Sequence, residues 1–150
     1  MHLTSFTDYT LRVLLYLGVR GQDGRLATIG DVAAAYDISE NHLRKVVHHL
    51  AKEGYIKTTR GKGGGMVLAH APESINLGKV VRGAEEKRGL VDCFPEGKPP
   101  CAILAACSLP RILAKAMRAF FAELDKYTLA DLIHPPEPLA KIFYAPVPRR

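Results

Sequence analysis

From Thr4 to Val19 apolar side chains recur at helical spacing, with Phe6, Tyr9 or Thr10, Val13, Leu14 and Leu17 on one side. The spacing predicts a first helix capped by Thr4 or Ser5. "GQDG" at 21–24 reads as a turn. Thr28-Ile29-Gly30-Asp31 has the form of a capping box, in which the Thr28 hydroxyl takes an exposed backbone N–H and Asp31 reaches back. A short helix is expected to follow through Ala35. After "YDIS", Ser39 reads as the N-cap of a third helix, Glu40 to Glu53, which Gly54 ends. Leu43, Val46, Val47 and Leu50 form one apolar stripe on it, while Asn41, His42, Arg44, Lys45, His48 and Lys52 lie off that stripe. Two β-type runs, "YIKTT" and "MVLA", then flank "RGKGGG" at 60–65, where glycines permit a tight hairpin tip and close approach to a partner. Helix, short helix, turn, helix and hairpin in this order predict a mainly α fold with a small β wing, a winged helix-turn-helix.

The second half is patterned differently. "INLGKVVRGAEE" at 75–86 predicts another short helix. An irregular stretch follows, interrupted by Pro95, Pro99 and Pro100. Ser108 is expected to cap a long helix running to about Lys126, whose first turn tolerates Pro110. Arg111, Lys115, Arg118 and Asp125 share a polar face of that helix. The rest of its circumference is broadly apolar, including Ile112, Met117, Phe120 and Phe121. An arc this wide can bury one side on its own domain and another on a second copy. "TLADLI" predicts a short last helix, and the proline-rich "HPPEPLAKIFYAPVPRR" is expected to be loosely ordered. The expected organisation is a winged helix-turn-helix over 1–84, a cysteine-bearing loop over 85–108, a dimerisation helix with a short last helix over 109–133, and a tail over 134–150.

Charge narrows the function. The 150 residues carry a formal charge of +6 and a pI near 9.3, which points toward nucleic acid, an acidic membrane surface or an acidic partner. The N-terminus has no apolar run long enough to span a bilayer, so a cytoplasmic protein with reduced thiols is expected. Between Glu40 and Lys62 six Lys or Arg face two acids. Charge alone is equally consistent with a solvated helix face, but the order of elements favours DNA. In a helix-turn-helix the residues near the start of the second helix reach base edges. These are Asn41, His42 and Lys45, with Arg44 beside them. On the wing, Arg60, Lys62, Gly63 and Gly64 are the candidates, and Arg60 suits a minor groove or a phosphate. RNA is disfavoured because no aromatic stacking surface stands out. His48 and His49 are adjacent, so they point to different sides of a helix. No Ser-His-Asp order, phosphate loop or facing carboxylate pair supports catalysis, and the chain reads as a non-enzyme.

The chain's three cysteines, Cys93, Cys101 and Cys107, crowd into "VDCFPEGKPPCAILAACS". An odd number cannot pair off as disulfides. Zinc sites usually show a close C-x2–4-C pair, which is absent. Iron–sulfur clusters accept varied spacings in loops. A thiol–disulfide switch and incidental thiols remain open beside the favoured cluster reading.

"LTSFTDYTLRVLLYL", "NHLRKVVHHLAKEGYI", "RGKGGG", the three cysteines and "ELDKYTLADLI", together covering residues 3 to about 133, resemble the Rrf-type family of winged-helix iron–sulfur regulators. Within it the resemblance is to the nitric-oxide-sensing branch. It implies a homodimeric repressor with one cluster per subunit, 4Fe–4S ahead of 2Fe–2S. Nitric oxide would attack the cluster, the operator would be released, and nitric-oxide detoxification genes would be expressed. Cys93, Cys101 and Cys107 take the places of the family's cluster cysteines. Asp8, supplied by the other subunit, takes that of the fourth ligand. The competing reading of Asp8 is an acid favoured by the helix dipole. The sister branch that senses cluster supply places a histidine three residues after the last cysteine, where this chain has Pro110. The first cysteine gap, seven residues, is longer than the family's usual one. The alternatives are a thiol- or iron–sulfur-based redox or iron regulator of the same fold, or an iron–sulfur redox protein that does not bind DNA.

Overall fold

The computed structural model describes residues 3–21, 25–85 and 101–144. Cys93 and the three prolines of its loop lie outside the described residues, as does most of the expected 21–24 turn.

The first helix, α1 (Ser5–Arg20), is the central strut. Thr4 is its N-cap, accepting from the Thr7 N–H at 3.2 Å. Val13, Leu14 and Leu17 are fully or almost fully buried, and most of the other described helices pack against α1. Burial of these side chains supplies roughly 1.5–3 kcal/mol each.

The second helix, α2 (Ile29–Tyr36), begins with the expected capping box: Asp31 N–H donates to Thr28 Oγ1 at 3.1 Å, and Thr28 N–H to Asp31 Oδ2 at 2.8 Å. It stops at Asp37, whose φ of 54° turns the chain into α3 (Glu40–Lys52). Ser39 occupies the N-cap of α3, but its side chain makes no capping bond. The predicted stripe of Leu43, Val46, Val47 and Leu50 is buried. The wing is the antiparallel pair β1 (Ile56–Thr59) and β2 (Gly65–Leu68), in register from Ile56 opposite Leu68 to Thr59 opposite Gly65. Ala27 flanks it through reciprocal bonds with Met66, 3.1 and 2.8 Å, which fastens the wing to the start of α2.

Next come α4 (Leu77–Glu85), α5 (Leu109–Leu124) and α6 (Leu129–Ile133). A second capping box starts α6, with the Thr128 N–H 2.6 Å from Asp131 Oδ2. That backbone hydrogen bond holds the Asp131 carboxyl below its ordinary range. α6 seats on α1 at Gly18, where a Cβ would collide with Ile133. α5 is tied to α4 at its C-terminal end by the Arg82–Asp125 ion pair and by Arg82 over the Phe121 ring, 4.9 Å from its centroid. Ser108 precedes α5 without a side-chain capping bond. No residue of α5 is buried within the described chain, and Ile112 is 59 % exposed.

The described part of the tail, up to Tyr144, corrects the expectation of loose order, while residues 145–150 lie outside the described residues. Pro136–Phe143 forms a further helix, α7, with Pro136 in its first turn, where a missing N–H costs nothing. Leu139, Ala140 and Phe143 share its inner face and pack on the core. In the sequence, the proline content masks that apolar spacing.

Candidate nucleic-acid interface and sensor site

The buried stripe of α3 turns its opposite face outward. Asn41, His42, Arg44 and Lys45 are all exposed, as are Arg60, Lys62 and Gly63 of the wing, with Gly64 half-buried. The fold thus places both sets of candidate DNA contacts at the surface. Arg44 donates to Glu40 one turn earlier at 3.0 Å, an exposed pair of small energetic weight. The wing glycines also have a structural reason. Gly61 and Gly63 have φ of 98° and 80°, which side chains rarely adopt. A Cβ on Gly64 would collide with the Thr59 carbonyl oxygen.

His42 is held as well as exposed. Its imidazole lies 6.2 Å from the Tyr9 ring, and on the same helix His49 meets Phe6 edge-on at 5.3 Å. The helix α3 therefore rests on the first two turns of α1, the turns that carry Asp8.

Asp8 is about half-exposed, and its carboxylate accepts from Arg12 Nε at 2.9 and 3.0 Å. That bond raises the Arg12 pKa above its ordinary value. Nearby, Glu85 Oε1 accepts from the Thr4 N–H at 2.8 Å, from Thr4 Oγ1 at 2.9 Å and from the buried Thr7 hydroxyl. Glu85 ends α4, so the point where the chain enters its cysteine-bearing segment is clasped to the N-terminus of α1. Sequence reasoning missed Glu85 and Arg12. For Arg12 the signal was its place four residues after Asp8; for Glu85, 81 and 78 residues from its partners Thr4 and Thr7, there was none.

Cys101 is exposed and Cys107 half-buried, joined through two turn bonds, Leu104 N–H to Cys101 O at 2.9 Å and Cys107 N–H to Leu104 O at 3.3 Å. Among the described residues no three His, Cys, Asp or Glu come together around one point. The donor chemistry nevertheless fits an iron–sulfur cluster: soft sulfur donors on a turn-rich segment, Cys101 exposed and Cys107 half-buried, and a half-exposed carboxylate, Asp8, elsewhere on the surface.

Residues 3–135 match the Rrf2 family, described as iron-dependent transcriptional regulators. The chain belongs to the Rrf2 family. A relative from Bacillus subtilis (strain 168), the HTH-type transcriptional regulator NsrR, is 45 % identical over 142 residues, covering 95 % of this chain and 97 % of the relative. NsrR of Geobacillus kaustophilus is 47 % identical, covering 89 % and 90 %. The solved structure of T. potens IscR superposes with a TM-score of 0.67 at 21 % identity, over 93 % of this chain and 90 % of that one, and shows a shared fold. As an Rrf2 protein the chain is a DNA-binding transcriptional regulator and not an enzyme. No helix among the described residues is long and apolar enough to cross a membrane.

Proposed function

We propose that this Rrf2 regulator is a cytoplasmic, homodimeric repressor that responds to nitric oxide through an iron–sulfur cluster, one per subunit, of the 4Fe–4S type. The near full-length likeness to NsrR relatives carries the reading. Cys93, Cys101 and Cys107 of one subunit would hold the cluster, and Asp8 of the second copy would complete it. When bound, the cluster supplies iron that reacts with nitric oxide.

The chain's own residues supply the rest. A carboxylate on α1 that is engaged by a second copy fixes α1, and α1 fixes α3 through Tyr9–His42 and Phe6–His49. The Glu85 clasp ties the cysteine-bearing segment to the same end of α1. A signal at that end is thereby passed to Asn41, His42 and Lys45. Moving operator occupancy from nearly full to nearly empty takes roughly 5.5 kcal/mol of differential stabilisation. The uncovered apolar arc of α5 supports the homodimer, because a helix with Ile112 and Leu109 this exposed has area left to bury.

Iron and sulfide counts on anaerobically purified protein test the ligand set, with each cysteine changed to Ser in turn. Loss of iron in all three variants supports it. Full iron in any one removes that residue from the set.

A further inference from the structure

The C-terminal helix α7 has no part in the reading above, yet it underlies Asp8 at two removes. Arg12, whose Nε–H is shared by both Asp8 oxygens, places its guanidinium carbon 5.3 Å from the centroid of the Tyr36 ring. Tyr36 is the last residue of α2 and immediately precedes the left-handed Asp37 that turns the chain into the reading helix. On its other sides the Tyr36 ring meets Phe143 of α7 edge-on at 5.5 Å and Tyr16 at 6.5 Å, and Phe143 meets Tyr16 at 5.1 Å. The Tyr36 hydroxyl is buried with no hydrogen-bond partner among the described residues. Among the described residues no bond at its tip anchors this ring, so its place is set by what its faces and edges touch.

The arrangement bears on Asp8 for a simple reason. An exposed acid–arginine pair one turn apart is weak, and both side chains sample other rotamers. A guanidinium resting on an aromatic face has lost much of that freedom, because its plane is fixed by the ring. The carboxylate that chelates around its Nε is then fixed in turn.

We propose that Tyr36, backed by Phe143 of α7, is a positioning residue for Asp8: the aromatic stack orients Arg12, and Arg12 presents the Asp8 carboxylate to the second copy. The inference rests on the reading of Asp8 as a ligand donated across the dimer. It gives the C-terminal segment a role, and it joins Asp8 to the turn that enters α3 by a route separate from the Tyr9–His42 contact.

The test uses the full-length protein and two readouts. In cluster-free protein, the Arg12 Nε–H resonance is followed by NMR in wild type, Phe143→Ala and Phe143→Leu, the last keeping α7 seated by an apolar side chain. Hydrogen exchange at Arg12 should quicken by about two- to fivefold in both variants, the range a surface cation–π contact supports. Tyr36→Phe, which keeps the ring, should leave it unchanged. In cluster-loaded protein, the half-life of iron against a chelator is measured for wild type, Phe143→Leu, Asp8→Ala and the double variant. Phe143→Leu should shorten it in the wild-type background and add nothing in Asp8→Ala. Equal shortening in both backgrounds would mean that α7 acts through general stability, which overturns the proposal. If Asp8→Ala alone leaves the half-life unchanged, the ligand reading has failed, and the Arg12 exchange then decides the positioning separately: unaltered exchange in both Phe143 variants overturns it.

Discussion

The imidazole of His42, at the start of the reading helix, lies 6.2 Å from the ring of Tyr9, the residue next to Asp8. A candidate base-contacting residue and a candidate cluster ligand are thus separated by one aromatic contact between α3 and α1. Tyr9→Leu keeps an apolar side chain there and removes the ring pairing. It should weaken operator binding about 2- to 10-fold, matching the 0.5–1.5 kcal/mol of an aromatic pair, and shift the His42 imidazole resonances. Unchanged operator affinity with a shifted His42 would show that the contact does not set the position of α3.

Lys45 is exposed on the outward face of α3, one turn in from its start. If it reads a base edge, Lys45→Ala relaxes sequence preference at a cost of about 1–3 kcal/mol. Uniform weakening on every sequence would make it a phosphate contact. In either case the logarithm of affinity should fall against that of salt with a slope of roughly −0.9 per phosphate neutralised. Binding isotherms on operator and scrambled DNA over a salt series separate these outcomes.

Gly64 and Gly63 separate the architecture of the wing from its contacts. A Cβ at Gly64 collides with the Thr59 carbonyl, whereas at Gly63 it meets open space and only the φ of 80° opposes it. Gly64→Ala should cost about 1–3 kcal/mol of stability in urea unfolding, since backbone must shift. Gly63→Ala should cost about 1–2 kcal/mol from its left-handed backbone. A Gly64→Ala protein as stable as wild type would mean that the wing tip is not held as described.

Burial of Tyr36 pushes its phenol up to about 12, against 10 in the unfolded chain. A group whose folded pKa is raised contributes stability that is present below the unfolded value and is lost as pH climbs through the folded one. The protein should therefore lose stability between pH 10 and about 12, and part of that loss should vanish in Tyr36→Phe. At neutral pH the same substitution removes a buried hydroxyl that has no partner among the described residues, so stability should hold or rise. Thermal melts across this range, wild type against variant, check both signs.

The elements that local chemistry specifies were legible from sequence. The Leu43, Val46, Val47 and Leu50 stripe located α3, Thr28 and Asp31 its predecessor's start, and "RGKGGG" the hairpin tip. Relations that depend on how helices cross were not. Nothing local to Glu85 says that it receives Thr4 and Thr7, and nothing near His42 says that Tyr9 lies beneath it. The Arg44–Glu40 and Arg12–Asp8 pairs left only a one-turn spacing as a signal, and the sequence reading drew neither. α7 was hidden because five prolines across the last seventeen residues outweighed the Leu139, Ala140 and Phe143 face.

The central claim is that cysteines and Asp8 hold a cluster whose reaction with nitric oxide releases DNA. Anaerobic protein should be titrated with nitric oxide while visible absorption and operator binding are read on the same sample. The account predicts that absorption bleaches and DNA is released at the same equivalents of nitric oxide. Protein that takes up no iron after competent reconstitution, yet binds the operator and ignores nitric oxide, would contradict it and move the switch to the bare thiols.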